Sequence, residues 1–387
     1  MTAPRLEIRL DQLRHNARTM VERLARQGIQ LTGVSKATLA MPEIVRIWVD
    51  AGVHSIGESR IESIESLRRC GFDVPLLLIR SPMLSQVDRV VAHAAMSCNS
   101  EPLVIKALAA SALRQGMSHG VLLMVELGDL REGILPADME AMVALTLALP
   151  SLVLVGIGTN LGCQNGVAPD SANMAELSRL ICDLEARFRI RLEWCSGGNS
   201  SNLNWLHGGG DRGRINHLRL GEALLLGREP LTRRAIPGLY TDAITLVAEV
   251  IESKVKPTRP WGARHHASFA TPTEVASTEP AQALGWRSLL ALGEQDADPR
   301  GLSAPGLSIE GASSDHLVVS GAAMDLAVGD EQRFRISYST LLRAMTSPFV
   351  SRCFLDETVP SRSASLQGAG VGQPWTRRAI RWGDPAV

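Results

Sequence analysis

Three groups of residues in this chain have the types and spacing to do chemistry together. Lys36 stands directly after an apolar run, QLTGVS (residues 30–35), and ahead of a helix opened by Pro42. The stretch SGGNSS (196–201) joins two glycines to hydroxyl and amide side chains. Its backbone N–H groups can approach an anion closely, and Ser and Asn add donors, so an uncharged loop of this kind can bind phosphate. The stretch RLGEALLLG (219–227) sets Arg219 and Gly221 ahead of a short helix, whose N-terminus adds positive potential. A lysine facing a phosphate site across one pocket suggests a Schiff base to pyridoxal phosphate. Arg219 narrows the reaction. A carboxylate beside the pyridine nitrogen would keep the ring protonated and strongly electron-withdrawing, whereas an arginine leaves the nitrogen unprotonated. That suits a proton which leaves Cα and promptly returns, which is racemisation.

These residues need elements to position them. Eight short apolar runs alternate with helical stretches over about 200 residues: 30–35, 54–57, 76–79, 94–98, 120–126, 152–158, 191–195 and 216–220. The rhythm predicts a (β/α)8 barrel over residues 1–232. A doubly wound open sheet is the competitor, but it usually carries a glycine-rich turn after its first strand, and here that strand ends in Ser35-Lys36. The residues leaving the eight strands include Lys36, Glu58, Arg80, Asn99, Asn160 and Arg219. A single polar exit means little, but a ring of them argues for a polar pocket at the barrel mouth. By itself SGGNSS reads as a plain turn, and its place after the seventh strand is what favours phosphate. From about residue 233 strand-like runs follow one another without long helices, which predicts a smaller, mostly β domain over 233–355. Residues 356–387 are rich in Ser, Gly and Pro and read as a mobile tail.

Composition sets outer limits. The 387 residues carry 40 basic and 40 acidic side chains, so no charge excess points to nucleic acid or an acidic surface. No apolar stretch reaches the roughly 18 residues of a membrane helix, and the N-terminus lacks a leader's apolar core, so the expected location is cytoplasmic. The six cysteines form no CxxC pair and the nine histidines show no ligand spacing, so no metal site is expected. There are two tyrosines, Tyr240 and Tyr338.

Lys36, GGNSS and Arg219-Leu220-Gly221 together resemble the alanine racemase superfamily of pyridoxal phosphate enzymes. The segments ESRIE (58–62), MVELGDLREGI (124–134), GIGTNLGCQNG (156–166), LRLGEALLLGRE (218–229), GASSDHL (311–317) and AMTSPFV (344–350) look most like its ornithine racemase branch. The resemblance covers roughly residues 5–352. It implies a barrel followed by a β domain, a homodimer whose site is completed by the partner's β domain, and a small amino acid as substrate. Lys36 matches the Schiff-base lysine, Asn199 and Ser200 the phosphate loop, Arg219 the pyridine-nitrogen arginine, and Gly221 a backbone phosphate contact. Tyr338 matches a tyrosine near the phosphate, and Asn160 falls where alanine racemases place a ring-stacking histidine. Arg131 lies near an arginine that holds the substrate carboxylate, and Ser314 is a further substrate-binding candidate.

One departure concerns the second base. Alanine racemases use a tyrosine from the partner subunit, and the matching segment ALGEQDAD (291–298) has none. Racemisation needs a proton donor and acceptor on each face of Cα. Lys36 serves one face, and Glu294, Asp296, Asp315 and His316 are candidates for the other. A second departure, RPWGARHHASF (259–269), is basic where an ornithine site would favour acid. The expected activity is an amino-acid racemase, with ornithine first and alanine or lysine next. The competing readings are a pyridoxal phosphate carrier without turnover, another reaction of the fold such as decarboxylation or retro-aldol cleavage, and a non-enzymatic binding protein.

Overall fold

The computed structural model describes residues 2–261, 283–321 and 326–356. Its first strand, β1 (Arg5–Arg9), leads into a helix over Leu10–Ala25. Eight parallel strands then close a barrel in chain order: β2 (Gln30–Val34), β3 (Ser55–Glu58), β4 (Leu76–Leu78), β5 (Met96–Asn99), β6 (His119–Met124), β7 (Leu152–Gly158), β8 (Trp194–Ser196) and β9 (His217–Leu220). Helices such as Pro42–Asp50, Ile61–Arg69, Pro102–Gln115 and Ser171–Phe188 connect them. Each connecting helix turns one apolar face to the strands, and the strands are buried on both faces, as a parallel sheet requires.

Alternation along the strands divides the core. One set, including Leu77, Met96, Leu122, Met124 and Trp194, forms a cluster of its own within the barrel, while the neighbours Leu76, Leu78, Val121, Leu123 and Cys195 pack outward under the helices. Part of the interior is polar and hydrogen-bonded within itself. His217 stacks on Trp194 (centroids 3.9 Å, 12° between planes) and shares hydrogen bonds with Ser196 Oγ through Nδ1 (2.8 Å) and Thr32 Oγ1 through Nε2 (2.7 Å). Thr32 Oγ1 continues to Ser55 Oγ at 2.5 Å. Burial holds the His217 imidazole well below its usual pKa, so it is neutral.

The second sheet contains β10 (Ile244–Pro257), β11 (Leu284–Leu290), β12 (Leu302–Ser303), β13 (Ser308–Ala312), β14 (Leu317–Ser320), β15 (Glu331–Ile336) and β16 (Ser351–Leu355). They run in the order β12-β15-β10-β11-β14-β13, all antiparallel, and β1 joins them by pairing antiparallel with β10 and parallel with β16. A boundary after residue 232 therefore does not keep the N-terminus with the barrel. Leu6 and Ile8 are buried while Arg5 and Glu7 form ion pairs on the other face, an alternation that belongs to a sheet with one polar face. The helix Tyr338–Thr346 packs on the turn after β2 and so ties the second sheet to the barrel mouth. The expected tail (all but Asp356) and most of the basic segment 259–269 lie outside the described residues.

Candidate active site

β2 delivers Ser35 to a 3-10 turn over Lys36–Thr38. The Ser35 carbonyl accepts from the Thr38 N–H (2.9 Å), the Thr38 hydroxyl (3.0 Å) and the Ala40 N–H (3.3 Å). Leu39 and Ala40 then take left-handed conformations (φ 52° and 56°), strain that this one saturated carbonyl helps to hold. Lys36 is half-buried there, and its ammonium makes no hydrogen bond or ion pair among the described residues.

Closure of the barrel pairs β2 with β9 in the register Thr32↔Arg219. The lysine strand is thus the neighbour of the arginine strand, not its opposite across the mouth. Arg219 is 5% exposed. Its Nη2 donates to the Thr159 carbonyl at 2.6 Å and its Nη1 to Ser196 Oγ, which continues to His217. Burial lowers its pKa, but a guanidinium keeps its proton in a protein. The two bonds fix the plane of a permanent cation at the mouth.

The loop after β8 and the turn after β9 form one cradle. Ser200 Oγ accepts from the Ala223 N–H at 3.2 Å, and Asn199 Oδ1 accepts from the Ser201 N–H at 2.8 Å. Gly198 adopts φ +139°, and a Cβ there would stand 2.4 Å from Asn202 Oδ1, so the loop needs glycine at that position. The peptide N–H groups of Asn199, Ser200 and Gly221 have no protein acceptor among the described residues. Asn199 Nδ2 also donates to Asn160 Oδ1 (3.0 Å) and the Leu161 carbonyl (2.8 Å), while Asn160 Nδ2 is buried without a described partner.

A second loop is pinned above the cradle by Asp129. Its carboxylate accepts from the N–H groups of Cys163, Gln164, Asn165 and Val167 at 2.9–3.4 Å. Burial alone would raise this carboxyl's pKa, and the four donors outweigh it and hold it low. Arg131 follows in the same segment, exposed and paired to Glu132. A substrate carboxylate there would compete with that neighbour. Tyr338 begins the helix that covers the Lys36 turn, and burial, with Glu222, Cys163 and Glu58 nearby, raises its phenol's pKa.

The candidates for the second base separate. Both oxygens of Asp296 are engaged, Oδ2 by the Gly293 N–H (3.2 Å) and Oδ1 by the Ser347 hydroxyl (3.1 Å), so this buried residue fastens a loop. Glu294, Asp315 and His316 instead meet on two joined turns. The Glu294 and Gln295 N–H groups donate to the Ser313 and Ser314 carbonyls at 2.9 and 3.0 Å. A Cβ on Gly293 would stand 2.3 Å from the Asp315 nitrogen, which explains the glycine at this crossing. Asp315 Oδ1 and His316 Nδ1 are 2.8 Å apart in an exposed pair, and Ser314 Oγ donates to the same carboxylate at 3.4 Å. The Glu294 carboxylate has no described hydrogen bond.

Sequence reasoning passed over Glu58 as a site residue. It ends β3 as Ser35 follows β2, is 1% exposed and accepts a hydrogen bond from the Ser35 hydroxyl. Burial pushes its carboxyl up to about 7 against the opposing pull of Ser35, the Ser59 N–H and Lys36. Its position as a strand exit was the available signal.

Residues 8–229 match the family model for the alanine racemase N-terminal domain. The chain is 37% identical over 357 residues to a lysine racemase of Thermotoga maritima, covering 92% of this chain and 99% of that protein. It is 34% identical over 355 residues to an ornithine racemase of Acetoanaerobium sticklandii, covering 90% and 99%. Among solved structures, an alanine racemase of Streptomyces coelicolor superposes with a TM-score of 0.71 at 21% identity, over 91% of this chain and 97% of that one.

Proposed function

Because the chain belongs to the alanine racemase family and is an amino-acid racemase, an isomerase, we propose that it interconverts the L and D forms of a diamino acid, ornithine first and lysine next, with pyridoxal phosphate at Lys36. The observation that carries this reading is the meeting at one barrel mouth of an unpaired lysine, a buried arginine and a cradle of free N–H groups. The residues present fit the cofactor. The Asn199, Ser200 and Gly221 N–H groups would take its phosphate, Tyr338 would flank that end, Arg219 would meet the ring nitrogen, and the orphaned Asn160 amide would meet the ring. When bound, pyridoxal phosphate delocalises the electron pair left on Cα as its proton departs.

The chain's own residues do the rest. Lys36 Nζ takes the Cα proton on one face and can return it there. Arg219, a cation that does not give up its proton, would face the ring nitrogen and disfavour its protonation, which suits return of the proton to Cα. Arg131 holds the substrate carboxylate once released from Glu132, and Ser314 adds a hydroxyl. The proton on the other face is handled by the Glu294, Asp315 and His316 group of a second copy, in a homodimer acting in the cytoplasm. The acids of that group also suit a cationic substrate side chain. Asp296 belongs to the support of this group, not to the chemistry.

The test is chiral chromatography of L-ornithine, L-lysine and L-alanine after incubation with the cofactor-loaded protein. Ornithine or lysine is expected to give its D-isomer fastest, and Lys36→Ala is expected to lose both the bound chromophore and turnover. A Lys36→Ala protein with full activity in the absence of added amines would refute the reading.

A further inference from the structure

His217 stands two residues before Arg219 on β9, on the same face of the strand and one layer deeper in the barrel. It is fully buried. Three neighbouring strands bring its partners. Ser196 is its register partner on β8, Thr32 of β2 is paired to Arg219, and Ser55 of β3 is paired to Thr32. With the guanidinium these side chains make one hydrogen-bonded row. Arg219 Nη1 meets Ser196 Oγ, which meets His217 Nδ1 at 2.8 Å. On the other side of the ring His217 Nε2 meets Thr32 Oγ1 at 2.7 Å, and Thr32 Oγ1 meets Ser55 Oγ at 2.5 Å.

The row has a direction, and Arg219 sets it. A guanidinium only donates, so Ser196 Oγ accepts from it. The Ser196 hydroxyl has no hydrogen-bond partner besides these two among the described residues, so its own hydrogen goes to His217 Nδ1. Nδ1 then carries no proton. Nε2 carries one and donates it to Thr32, which donates in turn to Ser55. Each dipole turns its negative end toward the buried cation, an order in which the bonds reinforce one another. The reverse order would aim Nδ1–H at Ser196 alongside the guanidinium and leave the Ser196 hydrogen without an acceptor. A doubly protonated ring would do the same and add a second charge. Arg219 and His54 are the titratable groups that act on His217, and neither supplies a negative charge to hold an imidazolium. The stack on Trp194 asks only for a flat ring. The two nitrogens are what complete the row.

We propose that His217 is a positioning residue for Arg219: held as the neutral tautomer protonated at Nε2, it takes the Ser196 hydrogen and so presents the Ser196 lone pair that, with the Thr159 carbonyl, aims the guanidinium at the barrel mouth. His217 exchanges no proton in the reaction. The use of the aimed cation, to meet the ring nitrogen of pyridoxal phosphate, rests on the racemase reading. The tautomer does not, and it can be measured without cofactor or substrate.

The full-length protein, before pyridoxal phosphate is added, is labelled with 15N-histidine and read by two-bond 1H–15N correlation. The chain has nine histidines, few enough to separate, and loss of a signal in His217→Phe or His217→Asn assigns the one of interest. Nδ1 is expected unprotonated and Nε2 protonated, without change from about pH 8 to about pH 5. Two variants then separate the row from the stack. His217→Phe keeps a ring on Trp194 and removes both nitrogens. His217→Asn loses the stack but keeps an acceptor near the place of Nδ1. In the loaded enzyme His217→Phe and Ser196→Ala should each slow racemisation of ornithine or lysine about 10- to 100-fold in kcat, with KM little changed. The double variant should be no worse than either, because both cut the same row. His217→Asn should recover most of the loss. With 15N-labelled pyridoxal phosphate, the ring-nitrogen signal should move toward the protonated form in His217→Phe and much less in His217→Asn. A wild-type His217 protonated at Nδ1 in that pH range would overturn the assignment whether or not any variant folds. So would a folded His217→Phe protein with wild-type kcat and ring-nitrogen signal. A His217→Asn protein that loses more than His217→Phe would also overturn it, since the stack would then be the cause. The expected tautomer in a protein that racemises nothing would uphold the row and refute the racemase reading instead.

Discussion

Glu58→Gln makes a prediction about stability that needs no catalysis. The carboxyl is 1% exposed, and burial raises its pKa from 4.5 to about 7 in the folded chain. A raised carboxyl penalises the folded state wherever it must ionise. Below about pH 4.5 the group is neutral folded and unfolded, and there is no penalty. Between 4.5 and 7 the unfolded chain ionises first, and stability falls with rising pH. Above 7 both states are ionised and the loss is complete. The size follows from the shift: 2.5 units at about 1.36 kcal/mol per unit is about 3 kcal/mol, most of it between pH 5 and pH 8. Glutamine keeps the shape and an acceptor for Ser35 but does not titrate. Its new N–H donors add a pH-independent cost, which cancels when one compares the two proteins across pH. Urea unfolding of the cofactor-free wild type and variant at half-unit steps from pH 5 to pH 8 reads this difference. The variant should gain about 2–3 kcal/mol on the wild type across the range. Stability curves that stay parallel to within about 0.5 kcal/mol would refute the assigned burial of the charge, and with it the account of this corner of the site.

Three further expectations follow from the geometry. Arg219→Gln removes a fixed cation and the donors to Thr159 and Ser196, so racemisation should slow by about 10²- to 10³-fold in kcat, measured by polarimetry. Asp129→Ala leaves the N–H groups of Cys163, Gln164, Asn165 and Val167 without their acceptor, which should cost about 2–4 kcal/mol in urea unfolding and speed amide exchange across residues 160–167. Gly198→Ala puts a Cβ 2.4 Å from Asn202 Oδ1 at a φ that disfavours alanine, so pyridoxal phosphate should bind at least about tenfold more weakly by equilibrium dialysis at an unchanged KM for the amino acid.

The barrel was legible because its strands are buried on both faces. Runs such as LLLI and LVLVGIG announce themselves without regard to what packs on them, and the helices between them carry a clear period. The second sheet was half legible. The long strands β10, β11 and β15 alternate plainly, but Leu302–Ser303 and Ser308–Ala312 are short and become strands only through their partners. β1 was hidden for another reason: Arg5 to Arg9 sit next to a strong helix signal, and nothing local shows that their partners lie more than 200 residues away. The phosphate loop and Arg219 could be placed because strand order fixes where they emerge. Closure could not be read at the same detail, so Lys36 was set opposite the cradle when its strand is in fact paired to that of Arg219. Glu58 shows the limit most clearly. A polar strand exit is visible in sequence, but its burial against Ser35 exists only once the two strands are paired. The same holds for Asp296, whose loop-fastening bond to Ser347 spans 51 residues, and for Asp129, which holds a loop 34–38 residues further along.

The most direct measurement is proton NMR of the pyridoxal phosphate-loaded protein with L-ornithine and L-lysine in deuterated water. The Cα–H signal should disappear as deuterium enters at Cα, and chiral analysis of the same tube should show the D-isomer rising toward an equal mixture, with Lys36→Ala inert in both respects. Exchange at Cα without any D-isomer would contradict a second acid/base group on the opposite face. No exchange with these or any other amino acid, in protein that visibly holds the cofactor, would contradict the central claim that Lys36 moves the Cα proton.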